Sequence, residues 1–198
     1  MQIWTIGHST HTLEEFYLLL KSNKIDVVVD VRSVPFSQYA NWFNKDSLKG
    51  FLKSKKLYYL PMGEYLGARW NDKNLTFEDG RVDFNKVMET KKFQDGISRV
   101  LDGVKKGYNI ALMCSEKEAF DCHRFVLISQ FLRDKLEIFH IYPDKVVSNK
   151  ELEDRLIKKY EKFLPKRDLF NLDINDEVRI KKAYELRNLD IAYKGEDV

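Results

Sequence analysis

Short apolar runs alternate along this chain with stretches of helical periodicity. Gln2-Ile3-Trp4-Thr5-Ile6 is rich in β-branched and aromatic residues and stops at Gly7, which predicts a strand. Thr12-Leu13-Glu14-Glu15 has the form of a capping box, and Leu13, Phe16, Tyr17 and Leu20 follow at helical spacing. Asp26-Val27-Val28-Val29-Asp30-Val31 is apolar without alternation, as in a strand covered on both faces of a parallel sheet. Asp46 opens a short helix carrying Leu48, Phe51 and Leu52, and Leu57-Tyr58-Tyr59-Leu60 predicts a third strand closed by Pro61. Residues 63–80, with Gly63, Gly67 and Gly80, predict a long loop. Helix is expected over 83–106 with a break near Gly96, strand over 108–114, helix over 122–136 and strand over 137–142, ended by Pro143. A second capping box, Ser148 with Glu151, precedes Leu152, Leu156, Tyr160 and Phe163.

Strands alternating with helices predict an α/β fold with a mostly parallel sheet of about five strands and helices on both faces. After Pro165 the apolar density falls, so residues 1–165 form the α/β domain and 166–198 a C-terminal helical extension, with a helix over 175–187. Ligands of such sheets bind beyond the carboxyl ends of the strands. His8-Ser9 follows the first strand, Asp30-Val31-Arg32 ends the second, and Cys114-Ser115-Glu116 closes the fourth. Cys122-His123-Arg124 opens the helix after it, so parallel strands bring all four groups to one edge.

Composition narrows the partners. The 34 basic and 31 acidic residues leave a net charge of +3, too balanced to indicate nucleic acid by itself, although local basic runs such as Lys53-Ser54-Lys55-Lys56 keep that partner open. No stretch approaches the ~18 apolar residues of a membrane span. The two cysteines, with no basic-then-apolar leader, fit a cytoplasmic protein with reduced thiols. The oligomeric state is not legible.

At the predicted edge, a helix start favours an anion through its free N–H groups and dipole. Arg32 and Arg124 supply guanidinium groups, with His8, Ser9 and Ser37 as further candidate substrate contacts, which points to a small anionic ligand. A cysteine at a helix start has a stabilised thiolate, so Cys122 or Cys114 is a candidate nucleophile and His123 or His8 a proton carrier. Glu116 and Asp30 are candidate general acid and base, or they orient the histidine and arginine. A buried structural thiol at Cys114 and an Asp30–Arg32 pair without chemistry fit the same residues. Cys114, Cys122, His123 and His8 could be zinc ligands, but adjacent Cys-His side chains are expected to diverge at a helix start, so no metal is assigned. No glycine-rich phosphate loop is present, and no cofactor is expected.

Taken together, Ile6-Gly7-His8-Ser9, Asp30-Val31-Arg32 with Pro35 and Ser37, Leu66-Gly67, and Leu112-Met113-Cys114-Ser115-Glu116 leading into Cys122-His123-Arg124 resemble the DUF488 family over roughly residues 1–145. Ala68 stands where that family usually has a second glycine. The resemblance implies the α/β domain and these motifs; the family's function is unknown, so it implies no reaction. The layout is also loosely similar to rhodanese-type sulfurtransferases, but the acidic run of residues 115–121 is unlike their glycine-containing active loop. Two functions are therefore in contention. One is an enzyme acting on a small anionic or nucleotide-like substrate through a Cys/His/Arg site. The other is a non-catalytic nucleotide or nucleic-acid binding module that stacks bases on Tyr39-Ala40-Asn41-Trp42-Phe43.

Overall fold

The computed structural model describes residues 1–166 and 175–194. Its sheet has six strands: β1 (Gln2–Gly7), β2 (Val27–Asp30), β3 (Tyr58–Pro61), β4 (Ile110–Cys114), β5 (Glu137–Ile141) and β6 (Val146–Ser148). Their order is β3-β2-β4-β1-β5-β6; all neighbours are parallel except β5 and β6. The five parallel strands are those expected from the sequence. The antiparallel edge strand β6 is additional; it is three residues long and runs straight into the Ser148 cap, leaving too few positions for a strand pattern.

The period of two along the strands divides the core. Val28, Ala111 and Met113 face α1 (Leu13–Ser22) and α2 (Lys45–Ser54), packing with Phe16, Leu20, Phe43, Leu48 and Leu52. Val29, Val31, Ile110, Leu112 and Cys114 point to the opposite face. That second face is covered by α3 (Gly63–Leu66), α4 (Phe84–Glu89), α5 (Lys91–Lys105), and a π-helical segment, Arg124–Ser129, that continues into α6 (Gln130–Leu132). Within the π-helical segment all six residues are buried, as expected of a helix enclosed between the sheet and further helices. Helix α7 (Asn149–Tyr160) and α8 (Asp176–Ile191) complete this layer.

Two local expectations are corrected. The helix over 83–106 breaks at Thr90, not Gly96: Thr90 is extended and its Oγ1 accepts from the Phe93 N–H, starting α5. Gly96 lies inside α5, where a Cβ would come within 2.7 Å of the Tyr65 side chain; the glycine lets α5 approach α3 closely. The loop at 63–80 is shortened by α3 and by a 3₁₀ turn at Lys73–Leu75.

The sequence's C-terminal extension lies partly outside the described residues, at 167–174 and 195–198. The part described is well packed. Helix α8 buries Ile180, Ala183 and Tyr184, and Asn188 bonds both the Phe84 N–H and the Val82 carbonyl. Among the described residues, no helix is long and apolar enough to cross a membrane.

Candidate active site

Strand order explains why segments far apart in the chain meet. Strand β4 lies between β2 and β1, so the carboxyl ends carrying Asp30–Arg32, Cys114–Glu116 and His8–Ser9 are adjacent. The His8 N–H bonds the Cys114 carbonyl, the Ser9 N–H bonds Ser115, and the Val31 N–H bonds Met113, extending the ladder past the strands.

Below this edge, Cys114, Cys122 and His123 converge. Cys114 projects from β4 toward the helix layer, and Cys122 and His123 open the π-helical segment facing it. The His123 Nδ1 is 3.6 Å from the Cys122 Sγ and 3.8 Å from the Cys114 Sγ. His123 Nε2 lies 3.1 Å from the Val31 carbonyl. A carbonyl can only accept, so Nε2 carries a proton and Nδ1 is the ring atom turned to the two sulfurs. The expected divergence of the adjacent Cys-His side chains is thereby overturned: extended backbone at Cys122 (φ −128°, ψ 147°) followed by helical backbone at His123 aims both at one point. All three residues are buried. The Cys122 S–H, with His123 and Arg124 nearby, holds the Cys114 thiol well below its ordinary pKa. Burial, and donation toward Cys114, push the Cys122 thiol well above it. The charged form is thus favoured on Cys114 relative to Cys122.

Arg32, His8 and Asp30 form a second group, on the α1/α2 side of the edge. Arg32 donates from Nε and Nη2 to the two Asp30 carboxylate oxygens at 2.9 and 2.6 Å, from Nη2 to the Phe43 carbonyl, and from Nη1 to His8 Nε2 at 3.1 Å. A guanidinium has five N–H groups, so one Nη1–H of Arg32 remains among the described residues. Tyr59 donates to Asp30 at 2.6 Å. Burial works against the Arg32 charge, and the Asp30 carboxylate outweighs it. The His8 Nδ1–H bonds the Ser9 carbonyl, so Nε2 is a bare acceptor facing Arg32 and the Ser115 Oγ. Burial and the Arg32 charge lower the His8 pKa to about 4. Asp30 is 1 % exposed, and both its carboxylate oxygens are engaged, by Arg32 and by Tyr59.

A cleft of about 310 Å³ opens over the thiols, lined by Cys114, Cys122, His123, Arg32, Ser33 and Arg69 among others. Ser115 and Glu116 are exposed along its edge. His8, Asp30, Ser9, Ser37 and Arg124 do not line it. Ser9 is a left-handed turn residue (φ 45°) whose carbonyl holds His8. The Ser37 Oγ accepts from the Tyr39 and Ala40 N–H groups and shapes its own loop. Arg124 is 1 % exposed and bonds the carbonyls of Glu116 and Lys117, clamping the loop after β4. That clamp needs Gly7: a Cβ there would lie 1.9 Å from the Glu116 carbonyl oxygen.

Several cleft residues escaped the sequence reading. Arg69 is exposed at the rim with its guanidinium 4.7 Å from the centre of the Tyr193 ring, and its N–H bonds the Ser33 Oγ. Gly63 and Gly67 place it there: a Cβ at Gly63 would come within 1.8 Å of the Arg32 carbonyl, and one at Gly67 within 2.3 Å of Ser33. The Leu66-Gly67 pair was the available signal. Ile191, the last residue of α8, and Tyr193 just beyond it also line the cleft, and nothing local in that polar stretch marks them. Of the aromatic loop, Tyr39 is 94 % exposed while Phe43 is buried and stacked on His8 at 4.3 Å.

A family model described as "Domain of unknown function DUF488" matches residues 12–131. No curated protein and no solved structure matches the chain.

Proposed function

Because the chain belongs to the DUF488 family, whose description assigns no activity, we propose on geometry that it is an enzyme acting on a small anionic or nucleotide-like substrate in this cleft. The reactive centre of this reading is the Cys114–Cys122–His123 cluster. The observation that carries it is the position of that cluster at the base of an open cleft with Arg69 on its rim. Two soft sulfurs and an imidazole lone pair are held together, partly desolvated, where a ligand can reach them. The remaining Arg32 N–H, Arg69 and Ser33 supply donors for an anion, and Ile191 and Tyr193 add apolar surface beside it. In this reading Arg124, His8 and Asp30 support the site from behind.

The reading is tested on the chelator-treated, reduced chain by alkylating each cysteine across pH with sulfate, phosphate or a small carboxylate present. An anion that binds the cleft slows modification of Cys114 in the native chain and fails to do so in Arg69→Ala. The proposal is abandoned if no anion protects Cys114 and both thiols stay inert until the chain unfolds.

A second reading, a non-catalytic module for nucleotides or nucleic acid, is favoured by one feature. Phe36 and Tyr39 are 64 % and 94 % exposed on the loop that begins beside the cleft at Ser33 and Val34. Exposed rings beside an anion site suit base stacking. Binding of single-stranded oligonucleotides that falls in Tyr39→Ala and is indifferent to Cys114→Ala supports this reading over catalysis.

A further inference from the structure

We propose that Cys114, Cys122 and His123 are the three protein ligands of a zinc-class divalent ion whose fourth position faces the cleft. The inference rests on reading the cleft as a reactive centre and names what acts there: the group presented to the substrate is the ion and not a free thiolate.

The spacing carries the argument. Zinc bonds sulfur at about 2.3 Å and imidazole nitrogen at about 2.0–2.1 Å in a tetrahedron, which separates the nitrogen from each sulfur by about 3.6 Å and the sulfurs by about 3.8 Å. Here the nitrogen lies 3.6 and 3.8 Å from the two sulfurs. The two sulfurs fall within 4.8 Å of each other, so an ion would draw them together by no more than about 1 Å. The imidazole is already in the required tautomer. Val31 takes the Nε2–H, and a backbone carbonyl or carboxylate on the far ring nitrogen is the usual outer partner of a metal-bound histidine.

Charge and softness choose the ion. Two thiolates neutralise a divalent cation, so a buried cluster of this kind carries no net charge to desolvate. Thiolate and imidazole ligands suit zinc and disfavour magnesium or calcium. Three protein ligands beneath an open cleft match a catalytic zinc site; a structural one closes with four. His8 does not complete the set, because its Nε2 already accepts from Arg32 and its Nδ1–H bonds Ser9. The open position suits a water molecule or an oxygen of the anionic substrate, with Arg69 and the spare Arg32 N–H beside it.

The test uses the full chain, stripped with a chelator under reducing conditions and titrated with Co(II), then Zn(II). The expected result is one equivalent of cobalt with tetrahedral d–d bands and a thiolate-to-cobalt charge-transfer band, displaced by one equivalent of zinc. Bound zinc should also protect both cysteines of the wild-type chain from alkylation, a readout that needs no variant. Cys122→Ser and His123→Gln should weaken binding by about 100-fold or more, beyond the ~10–100-fold typical of losing an outer partner. The absence of stoichiometric binding, an octahedral spectrum without the thiolate band, or undiminished affinity in Cys122→Ser would each overturn the proposal. Phosphate binding to the stripped chain separates the two readings. If it persists and depends on Arg69 while no metal binds, the ion proposal falls alone. If metal binds and no anion does, the metal site stands and the small-anion function falls.

Discussion

His123 donates from Nε2 to the Val31 carbonyl, 3.1 Å away, and this hydrogen bond decides which ring nitrogen faces the thiols. With Nε2 turned to that carbonyl, Nδ1 is the ring nitrogen that lies against Cys114 and Cys122. The end of β2 thus orients the group that opens the helix after β4, tying the Asp-Val-Arg and Cys-His-Arg segments together through a main-chain atom.

The two thiols differ in surroundings and should differ in reactivity. Cys114 is 7 % exposed and polarised by the Cys122 S–H, whereas Cys122 is 2 % exposed. In metal-free native protein, iodoacetamide should modify Cys114 first. Peptide mass spectrometry that found Cys122 modified first would contradict this assignment of donor and acceptor.

Arg32→Ala should destabilise the fold by about 3–5 kcal/mol, because it leaves the Asp30 carboxylate buried without its charge partner. Arg32→Lys should recover only part of this, since an ammonium cannot reproduce the two parallel bonds to Asp30 together with those to Phe43 and His8. Urea unfolding of the three proteins checks the order; equal stability of wild type and Arg32→Ala would remove the ion pair from the account of the fold.

Arg69 and Arg124 should separate function from stability. Arg69 is exposed at the rim, so Arg69→Ala should change stability by no more than ~0.5 kcal/mol while weakening phosphate binding. Arg124→Ala should instead cost about 1–3 kcal/mol by unpairing the Glu116 and Lys117 carbonyls. Calorimetry and thermal melts of both variants decide it, and the opposite pattern would place the anion at Arg124.

Acid should unfold the protein through its buried histidines. His140 accepts from the Thr5 hydroxyl at Nδ1 and donates from Nε2 to Asn149; burial, then the Arg124 charge, lowers its pKa to about 3. His8 is lowered to about 4. Both are depressed below the ordinary 6.5, so their contribution is fully present above pH 6.5 and is lost as pH falls toward 4 and 3, where the unfolded chain gains protons that the folded chain refuses. Each unit of depression is worth about 1.4 kcal/mol, so the combined loss is several kcal/mol. Melting temperature should fall steadily across this window and less steeply in His140→Gln; a flat profile in the wild type would rule out neutral burial.

How much of this was legible follows from the range of each signal. Unbroken apolar runs such as Val27–Val29 and Ile110–Met113 are local, and they specify buried parallel strands independently of any long-range contact. The capping boxes at Thr12 and Ser148 are equally local, and both form as read. Because parallel strands put their carboxyl ends on one edge, the sequence alone brought His8, Arg32, Cys114 and Cys122 to a common region. It did not determine which of their side chains share a surface. That depended on β4 lying between β2 and β1, and on the strand alternation that turns Cys114 toward the helix layer, opposite the core that holds Phe43. It depended also on Gly7 and Gly63, where the close approach of another backbone segment lets Arg124 clamp a loop and carries Arg69 to the rim. Tyr193 reaches the cleft because α8 packs across α7, joining positions more than a hundred residues from Arg32. Periodicity and capping act within a few residues and so can be read along the chain; the direction of a guanidinium or an imidazole is set by partners distant in sequence, and only the packed structure decides it.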